Sequence, residues 1–173
     1  MHMSKTILAS LAACCVLLSV SGCEEKEAGT KAGNPFVQSI AQNDKPEKHR
    51  TFTGIVRGAE IKLTYYYKGD VIIRQDAENT LSYKALGADN KEQAKIMLGD
   101  ISEAWQKTKG ITENITYSDD HIQETMSIDY TTAEIKELCK LPGMSMTDCS
   151  ASFVGMTASA KAILKEGYKE IYE

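Results

Sequence analysis

The residues that most often carry enzyme chemistry are scarce in this 173-residue sequence. It holds three histidines, His2, His49 and His121, and no two of them have the spacing of a metal site. It also contains no HExxH, CxxC or Gly-x-Ser-x-Gly string, which are signatures of zinc proteases, redox dithiols and serine hydrolases. The sequence therefore predicts no catalytic residue, no metal site and no cofactor.

Clusters of positive charge are also missing. The chain has 20 basic and 24 acidic residues and no dense run of Lys or Arg. Nucleic acids and anionic lipid surfaces are usually bound through such clusters. The composition therefore argues against a nucleic-acid partner and against electrostatic docking on a membrane.

The N-terminus lacks a hydrophobic run long enough to span a bilayer. The apolar stretch from Ile7 to Val20 has about 14 residues, whereas a spanning helix needs about 20. It follows Lys5 and runs into the string VSGC, which ends at Cys23. A basic start, a short apolar core and small residues before a cysteine are typical of a bacterial lipoprotein signal. We therefore interpret residues 1–22 as a signal peptide and Cys23 as the lipidated residue.

Lipidation at Cys23 predicts attachment to the cell envelope. Two or more acyl chains, palmitate among them, hold a protein firmly in a membrane. Glu24 follows the cysteine, at a position where an aspartate would favour the inner membrane. We expect an outer-membrane location facing the periplasm.

Two cysteines remain beyond the lipidation site, Cys139 and Cys149. An exported protein meets an oxidising environment, in which a disulfide can form and persist. We expect these two cysteines to pair, and closing a loop of this size is worth about 2.5–3 kcal/mol in the chain-entropy description. A metal site is the weaker alternative, because no histidine lies nearby.

The rest of the chain divides into a linker and one domain. Residues 23–50 are polar, contain Gly29, Gly33, Pro35 and Pro46, and predict a flexible linker. Residues 51–173 are numerous enough to form a single domain with its own core. Apolar residues alternate cleanly in Glu60 to Lys68, the period of a half-buried strand.

The remaining patterns predict a mixed domain. Further strands are expected at 52–56, 71–76, 111–117 and 121–130, with a hairpin turn at Gly69-Asp70. Residues 79–83 are a candidate for one more strand outside that count. Asp89 or Asn90 offers an N-cap for a helix that ends before Gly110, and Thr131 with Glu134 resembles a second capping box. A last helix is expected from about Thr157 to Lys165. The fold class is therefore α+β, an antiparallel sheet of about five strands with helices packed on one face, in the order βββαββαα.

The strings RTFTGIVRGAEIKLTYYYKGD, LSYKALG, EQAKIML and ETMSIDYTTAEIKELCKLPGM resemble the YehR family of small bacterial lipoproteins. The resemblance covers about Arg50 to Met144 and, more loosely, the C-terminal helix. It implies one α+β domain in the cell envelope. The family has no established catalytic residue, cofactor or ligand to carry over, and the cysteine pairing rests on the compartment argument alone.

A candidate interaction surface follows from the strand alternation. Tyr66 must face away from Tyr65 and Tyr67, because side chains alternate along a strand. It would then stand on the open face of the sheet beside Thr64 and near Arg74, and exposed Tyr and Arg are common at interface hot spots. A purely structural role for Tyr66 is the alternative, since tyrosine is a good strand former.

These observations favour a non-enzymatic, lipid-anchored envelope protein that binds an envelope protein or a small ligand. The alternative is an inhibitor or stress-protective factor that acts on an envelope hydrolase, which would also need no catalytic groups. A hydrolase based on Asp119-Asp120 or on Glu134 and Glu137 has little support, because adjacent acids at turns and helical Glu residues usually face solvent.

Overall fold

The computed structural model describes residues 34–172. Cys23, the signal peptide 1–22 and the first part of the linker lie outside the described residues. Within the described range the chain forms five helices and six strands. The helices are α1 (Pro35–Ala41), α2 (Tyr83–Leu86), α3 (Lys91–Gln106), α4 (Ile135–Leu138) and α5 (Met156–Lys165). The strands are β1 (Lys48–Val56), β2 (Ala59–Lys68), β3 (Val71–Ser82), β4 (Ile111–Tyr117), β5 (His121–Asp129) and β6 (Lys169–Ile171).

The six strands form one antiparallel sheet in the order β4-β5-β3-β2-β1-β6. Alternating side chains of β2, including Ile61, Leu63 and Tyr65, are buried. The core lies on that face, beneath the helices, and the other face is not covered. The predicted α+β class is confirmed, with six strands instead of about five.

Helix α3 begins where the sequence predicts. The side chain of Asn90 accepts a hydrogen bond from the Gln93 backbone N–H, 2.9 Å away, and so caps the helix. Ala94, Leu98 and Trp105 recur at helical spacing and are buried against the sheet. The Trp105 indole N–H reaches the Pro142 carbonyl at 3.2 Å, which ties the helix to the loop after α4.

The described part of the predicted linker is ordered structure. Residues 35–41 form α1, whose Val37 is 1% exposed in the core. The Gln38 side chain donates to the Thr131 carbonyl at 2.9 Å. Strand β1 begins at Lys48, three residues before the predicted domain start at Thr51. Local composition does not predict helix α1, because the groups that hold this helix come from the far end of the chain.

Three other expectations need correction. β3 is one continuous strand, because Ala77, Asn79 and Leu81 keep the inward alternation through the predicted break. Thr131 does not cap α4; it bonds to Asp129 instead, and the N-cap Glu134 makes no side-chain cap bond. Strand β6 was not predicted, since its three residues are ordered only by pairing with β1.

Cys139 and Cys149 form a disulfide in the structure. It closes the loop between α4 and the segment that leads to α5. Of the three methionines around it, Met144 and Met146 are partly buried against the core and Met156 is fully buried. Among the described residues, no helix has the length and apolarity needed to cross a membrane.

Candidate functional site

The uncovered face of the sheet carries polar side chains from all its long strands. They alternate with the core residues, so each long strand contributes several, among them Thr53, Lys62, Thr64, Glu78, Thr80, Gln123, Thr125 and Ser127. Most are half-buried or exposed. A polar face of this kind keeps a sheet soluble and also offers hydrogen-bonding groups to a partner. We call this surface the open face.

A cleft of about 830 Å³ lies on the open face. Its lining includes Lys62 of β2, Glu78 and Thr80 of β3, and Gln123 and Thr125 of β5. The Lys62 ammonium and the Glu78 carboxylate are 3.3 Å apart in the cleft. The Lys62 and Glu78 side chains remain 38% and 65% exposed. An exposed ion pair contributes little free energy, so either residue can leave it to contact a ligand. The volume is in the range of small-molecule and peptide sites.

The predicted residues Tyr66 and Arg74 are directly opposite each other on β2 and β3. The Arg74 guanidinium carbon lies 3.8 Å from the centre of the Tyr66 ring, a cation–π contact. Arg74 also lies 3.4 Å from the Asp76 carboxylate, which accepts a hydrogen bond from the Ser127 hydroxyl at 2.7 Å. The structure therefore joins Tyr66 and Arg74 on the open face, as the strand alternation predicts.

The third predicted residue, Thr64, has the same orientation but a different partner. Its hydroxyl lies 3.2 Å from the hydroxyl of Thr51 on β1, within hydrogen-bond distance. Thr51 is buried. Thr64 therefore helps to join β1 and β2, and an interaction role for it stays a prediction.

A second depression of about 510 Å³ connects Arg74 to the cleft. It is lined by Arg74, Asp76, Thr112, Asn114 and Ser127, and it shares Glu78 and Thr125 with the cleft. The predicted surface and the cleft are thus neighbouring parts of one concave polar region. Sequence alternation assigns residues to this face, but it gives no signal for the concavity.

Sequence reasoning missed a pair of buried carboxyl groups on the other side of the sheet. Glu113 of β4 and Glu124 of β5 are 8% and 4% exposed. The Asn79 amide donates to Glu124 Oε2 at 2.6 Å, and the Ser102 hydroxyl donates to Glu113. The signal was present, because Glu113 lies between Ile111 and Ile115 and Glu124 between Ile122 and Met126, each in the apolar alternation.

Burial raises the pKa of Glu124 to about 8, and its hydrogen bond and repulsion with Glu113 act in the same direction, against the bond from Asn79. Glu124 is therefore a protonated hydrogen-bond donor at neutral pH. The adjoining cavity has only about 10 Å³, about the space of a single water. The pair is too enclosed to act on a substrate and serves the core.

The other titratable groups singled out by the sequence lie apart from the cleft. His121 Nδ1 is 2.7 Å from the carboxylate of Asp120, an exposed contact at the β4–β5 turn. This hydrogen bond lowers the pKa of Asp120. Across residues 34–172, no three His, Cys, Asp or Glu side chains are grouped so that they could hold a metal ion.

Comparison with known proteins gives a consistent family. Residues 48–169 match DUF1307, which is described as a protein of unknown function. An uncharacterized lipoprotein of Listeria monocytogenes is 42% identical over 135 residues, 78% of this chain and 88% of the relative. The uncharacterized lipoprotein YehR of Escherichia coli is 30% identical over 137 residues, 79% of this chain and 90% of the relative.

The fold has been seen in one of these relatives. The NMR structure of E. coli YehR matches with a TM-score of 0.65 at 29% sequence identity, covering 75% of this chain and 94% of that one. The predicted resemblance is therefore confirmed. The names of these relatives indicate membrane-anchored proteins of the cell envelope and mention no ligand, partner or activity.

Proposed function

The chain belongs to the DUF1307 family of YehR-like lipoproteins, and we propose that it is a non-enzymatic binding protein anchored in the envelope through a lipid on Cys23. The observation that carries the proposal is the cleft on the open face. It is lined by hydroxyl, amide and oppositely charged side chains and, at one edge, by the 75% exposed apolar side chain of Ile55. Glu124, whose carboxyl pKa is raised, is among the residues that line the cleft, but its side chain belongs to the core face and is only 4% exposed.

The composition of the cleft indicates a polar or amphiphilic partner. Gln123 and Thr125 are exposed in the cleft, and Thr80 is half-buried beside them. Such groups can donate and accept hydrogen bonds without a net charge. The salt-bridged Lys62 and Glu78 add one charge of each sign, and Glu60 and Lys169 add a second of each. An envelope protein or a small polar or amphiphilic ligand could use the same groups.

Site-specific photo-crosslinking in living cells tests this function. A photo-reactive residue replaces Thr125 in the cleft or, as the matched control, Ile96, which is 81% exposed on α3. We expect crosslinks to a specific envelope component from position 125 and none of that species from position 96. A Cys23→Ala chain should lose the crosslink because it is no longer held near its partner. Identical products from both positions would contradict the proposed binding face.

The outer-membrane location is part of the same proposal. Fractionation of membranes from cells that make the full chain should place it with outer-membrane markers. Addition of the purified chain to lysozyme and envelope proteases tests the alternative inhibitor function. Inhibition that is lost on Thr125→Arg substitution would favour the inhibitor over a passive binding protein.

A further inference from the structure

Two aromatic rings form a small apolar surface at the end of the domain where the described chain begins. Phe36 of α1 and Phe153, which precedes α5, have ring centroids 5.4 Å apart. Phe36 is 44% exposed and Phe153 is half-buried. Val37, the neighbour of Phe36, is buried in the core and fixes the helix in place. We call this surface the Phe36–Phe153 patch.

The patch lies between segments that carry no charge. Residues 34–43 and residues 149–160 contain no Asp, Glu, Lys or Arg, although a quarter of the whole chain, 25%, is charged. The charged side chains that contact these segments, Lys68 and Asp70 of the β2–β3 turn, meet their ends at Ala41, Asn43 and Thr157. The two rings can therefore enter the interfacial layer of a bilayer without removing an ion from water. Aromatic rings on such a surface are favourable at the boundary between headgroups and acyl chains.

The position of the proposed anchor brings this patch close to the membrane. The Asn34 side chain donates a hydrogen bond to the carbonyl of Ser152, next to Phe153. The chain that leads back to Cys23 therefore leaves the domain beside the patch. Residues 24–33 can span at most about 40 Å even when fully extended, so the domain cannot move far from the bilayer.

We propose that the Phe36–Phe153 patch rests in the interfacial layer of the lipid bilayer to which Cys23 anchors the chain. The inference depends on the proposed lipidation at Cys23 and not on the identity of the cleft ligand. Two rings alone bind a bilayer weakly. A short tether compensates for that weakness, because it turns the contact into an intramolecular event at high effective concentration.

This orientation would direct the cleft away from the membrane. The patch adjoins the β2–β3 turn, since the Ile72 N–H donates to the Val154 carbonyl at 2.9 Å and Val71 pairs with Gly155. From Lys68, at that turn, to Lys62, in the cleft, is about 20 Å along β2 at the usual rise of a strand. The cleft is then accessible to components of the envelope beyond the lipid headgroups.

Fluorescence quenching in vesicles tests this orientation with the full lipidated chain. A fluorophore is attached at Ser39→Cys on α1 or at Asp119→Cys in the β4–β5 turn, at the opposite end of the sheet; both positions are exposed. Cys139 and Cys149 are bonded to each other and do not compete for the label. The vesicles contain phosphatidylcholine and phosphatidylglycerol, with and without a spin-labelled lipid as quencher.

We expect quenching at Ser39→Cys to be at least about threefold stronger than at Asp119→Cys, because only the first lies at the interface. Phe36→Ser should reduce the quenching at position 39 towards the level of position 119. The control Ile96→Ser removes a more exposed apolar side chain from α3, 81% exposed against 44% for Phe36, and should change nothing. Equal quenching at both labelled positions, or no effect of Phe36→Ser, would overturn the proposal.

Flotation of the same vesicles separates this proposal from the anchoring on which it depends. A chain that does not float with lipid lacks the anchor, and both the proposed anchoring and this orientation then fail. A chain that floats but shows equal quenching keeps its anchor and overturns only the orientation. The comparison of the two labelled positions needs no Phe substitution, so it holds even if Phe36→Ser disturbs folding.

Discussion

At the scale of single residues, the least expected feature is a carboxylic acid that stays protonated in the core. Glu113 and Glu124 are diagonal neighbours on β4 and β5, because Glu113 pairs with Met126 and Glu124 with Ile115. If both of these neighbouring carboxyl groups were ionised, they would repel each other, and the core would not solvate their charges. A proton held by the pair removes one charge, and with it the repulsion and part of the cost of burial.

The Glu124 proton predicts how stability depends on pH. Its folded-state pKa of about 8 lies above the ordinary value of 4.5, so its contribution to stability is full below about pH 4.5 and is lost as the pH rises through about 8. The free energy of unfolding should therefore fall between about pH 4.5 and pH 8. Glu124→Gln, which keeps the amide hydrogen bonds but cannot ionise, should largely remove that slope in urea titrations. The exposed Glu60→Gln serves as the control and should retain it.

Tyr65 and Tyr66 are adjacent in sequence but lie on opposite faces of the sheet. Tyr65 is fully buried, with 0% exposure, and its ring meets Phe52 edge-on at 6.1 Å. Tyr66 is half-buried at the edge of the core, so Tyr66→Ala should cost about 1–2 kcal/mol, the size of a partly desolvated cation–π contact. Tyr65→Ala should cost about 3–5 kcal/mol through the cavity it leaves. Thermal unfolding of the two variants measures the difference, and equal losses would show that Tyr66 belongs to the core.

The sequence specifies the candidate site only in part at this scale. Alternation alone places Tyr66 and Arg74 on the open face, because the period of two is local. The same alternation also assigns Glu113 and Glu124 to the core face. A carboxyl group in an apolar register can be interpreted only when its partner is known, and that partner comes from the pairing of β4 with β5.

At the scale of elements, Gly110 controls the connection between α3 and β4. It has a φ of +81°, and a Cβ added there would lie 2.6 Å from the Ala133 nitrogen and 2.8 Å from the Asp129 carbonyl oxygen. Both are backbone atoms that cannot move aside cheaply.

Gly110→Ala should therefore destabilise the domain by more than about 2 kcal/mol, the sum of conformational strain and steric overlap. Gly167 offers a matched control, with a φ of +93° and nothing within 4 Å of an added Cβ. Gly167→Ala should lose only about 1 kcal/mol, because it has strain without overlap. If chemical denaturation gives the same loss for both variants, the close approach at Gly110 is not the cause.

Helix α1 depends on one buried side chain and on partners distant in sequence. Val37→Ser should weaken the docking of α1 and leave the sheet folded, so that trypsin cleaves after Lys48, at the exposed start of β1, several times faster in limited proteolysis. Ser39→Ala changes an exposed position of the same helix and should leave the rate unchanged. Cleavage throughout the domain in the Val37 variant would mean that α1 is part of the main cooperative unit.

Elements with strong local patterns are the ones that the sequence predicts correctly. The alternation of β2 and the Asn90 cap of α3 are set by neighbouring residues, and both are confirmed. Helix α1 and strand β6 are different, since α1 is held by Thr131, Ser152 and Phe153 and β6 by pairing with β1. Such contacts across more than ninety residues leave no local period.

At the scale of the whole molecule, the two faces of the sheet separate stability from recognition. The helix-covered face contains the core, the carboxyl pair and the disulfide loop. The open face contains the cleft and the Tyr66–Arg74 contact. In our proposals the anchor and the Phe36–Phe153 patch occupy one end of the domain and leave the cleft accessible to the envelope. The central claim is that this cleft binds the partner.

Affinity capture with a blocked cleft tests that claim most directly. The full lipidated chain is compared with Thr125→Arg, which fills the cleft with a charged side chain, and with Asp119→Arg, which adds the same side chain at the β4–β5 turn. Quantitative mass spectrometry after mild crosslinking in cells then measures each captured component. Our account predicts an envelope component that is captured by the unmodified chain and by Asp119→Arg but depleted at least about tenfold with Thr125→Arg, as the loss of a central contact implies. Capture that Thr125→Arg leaves unchanged would contradict a binding role for the cleft.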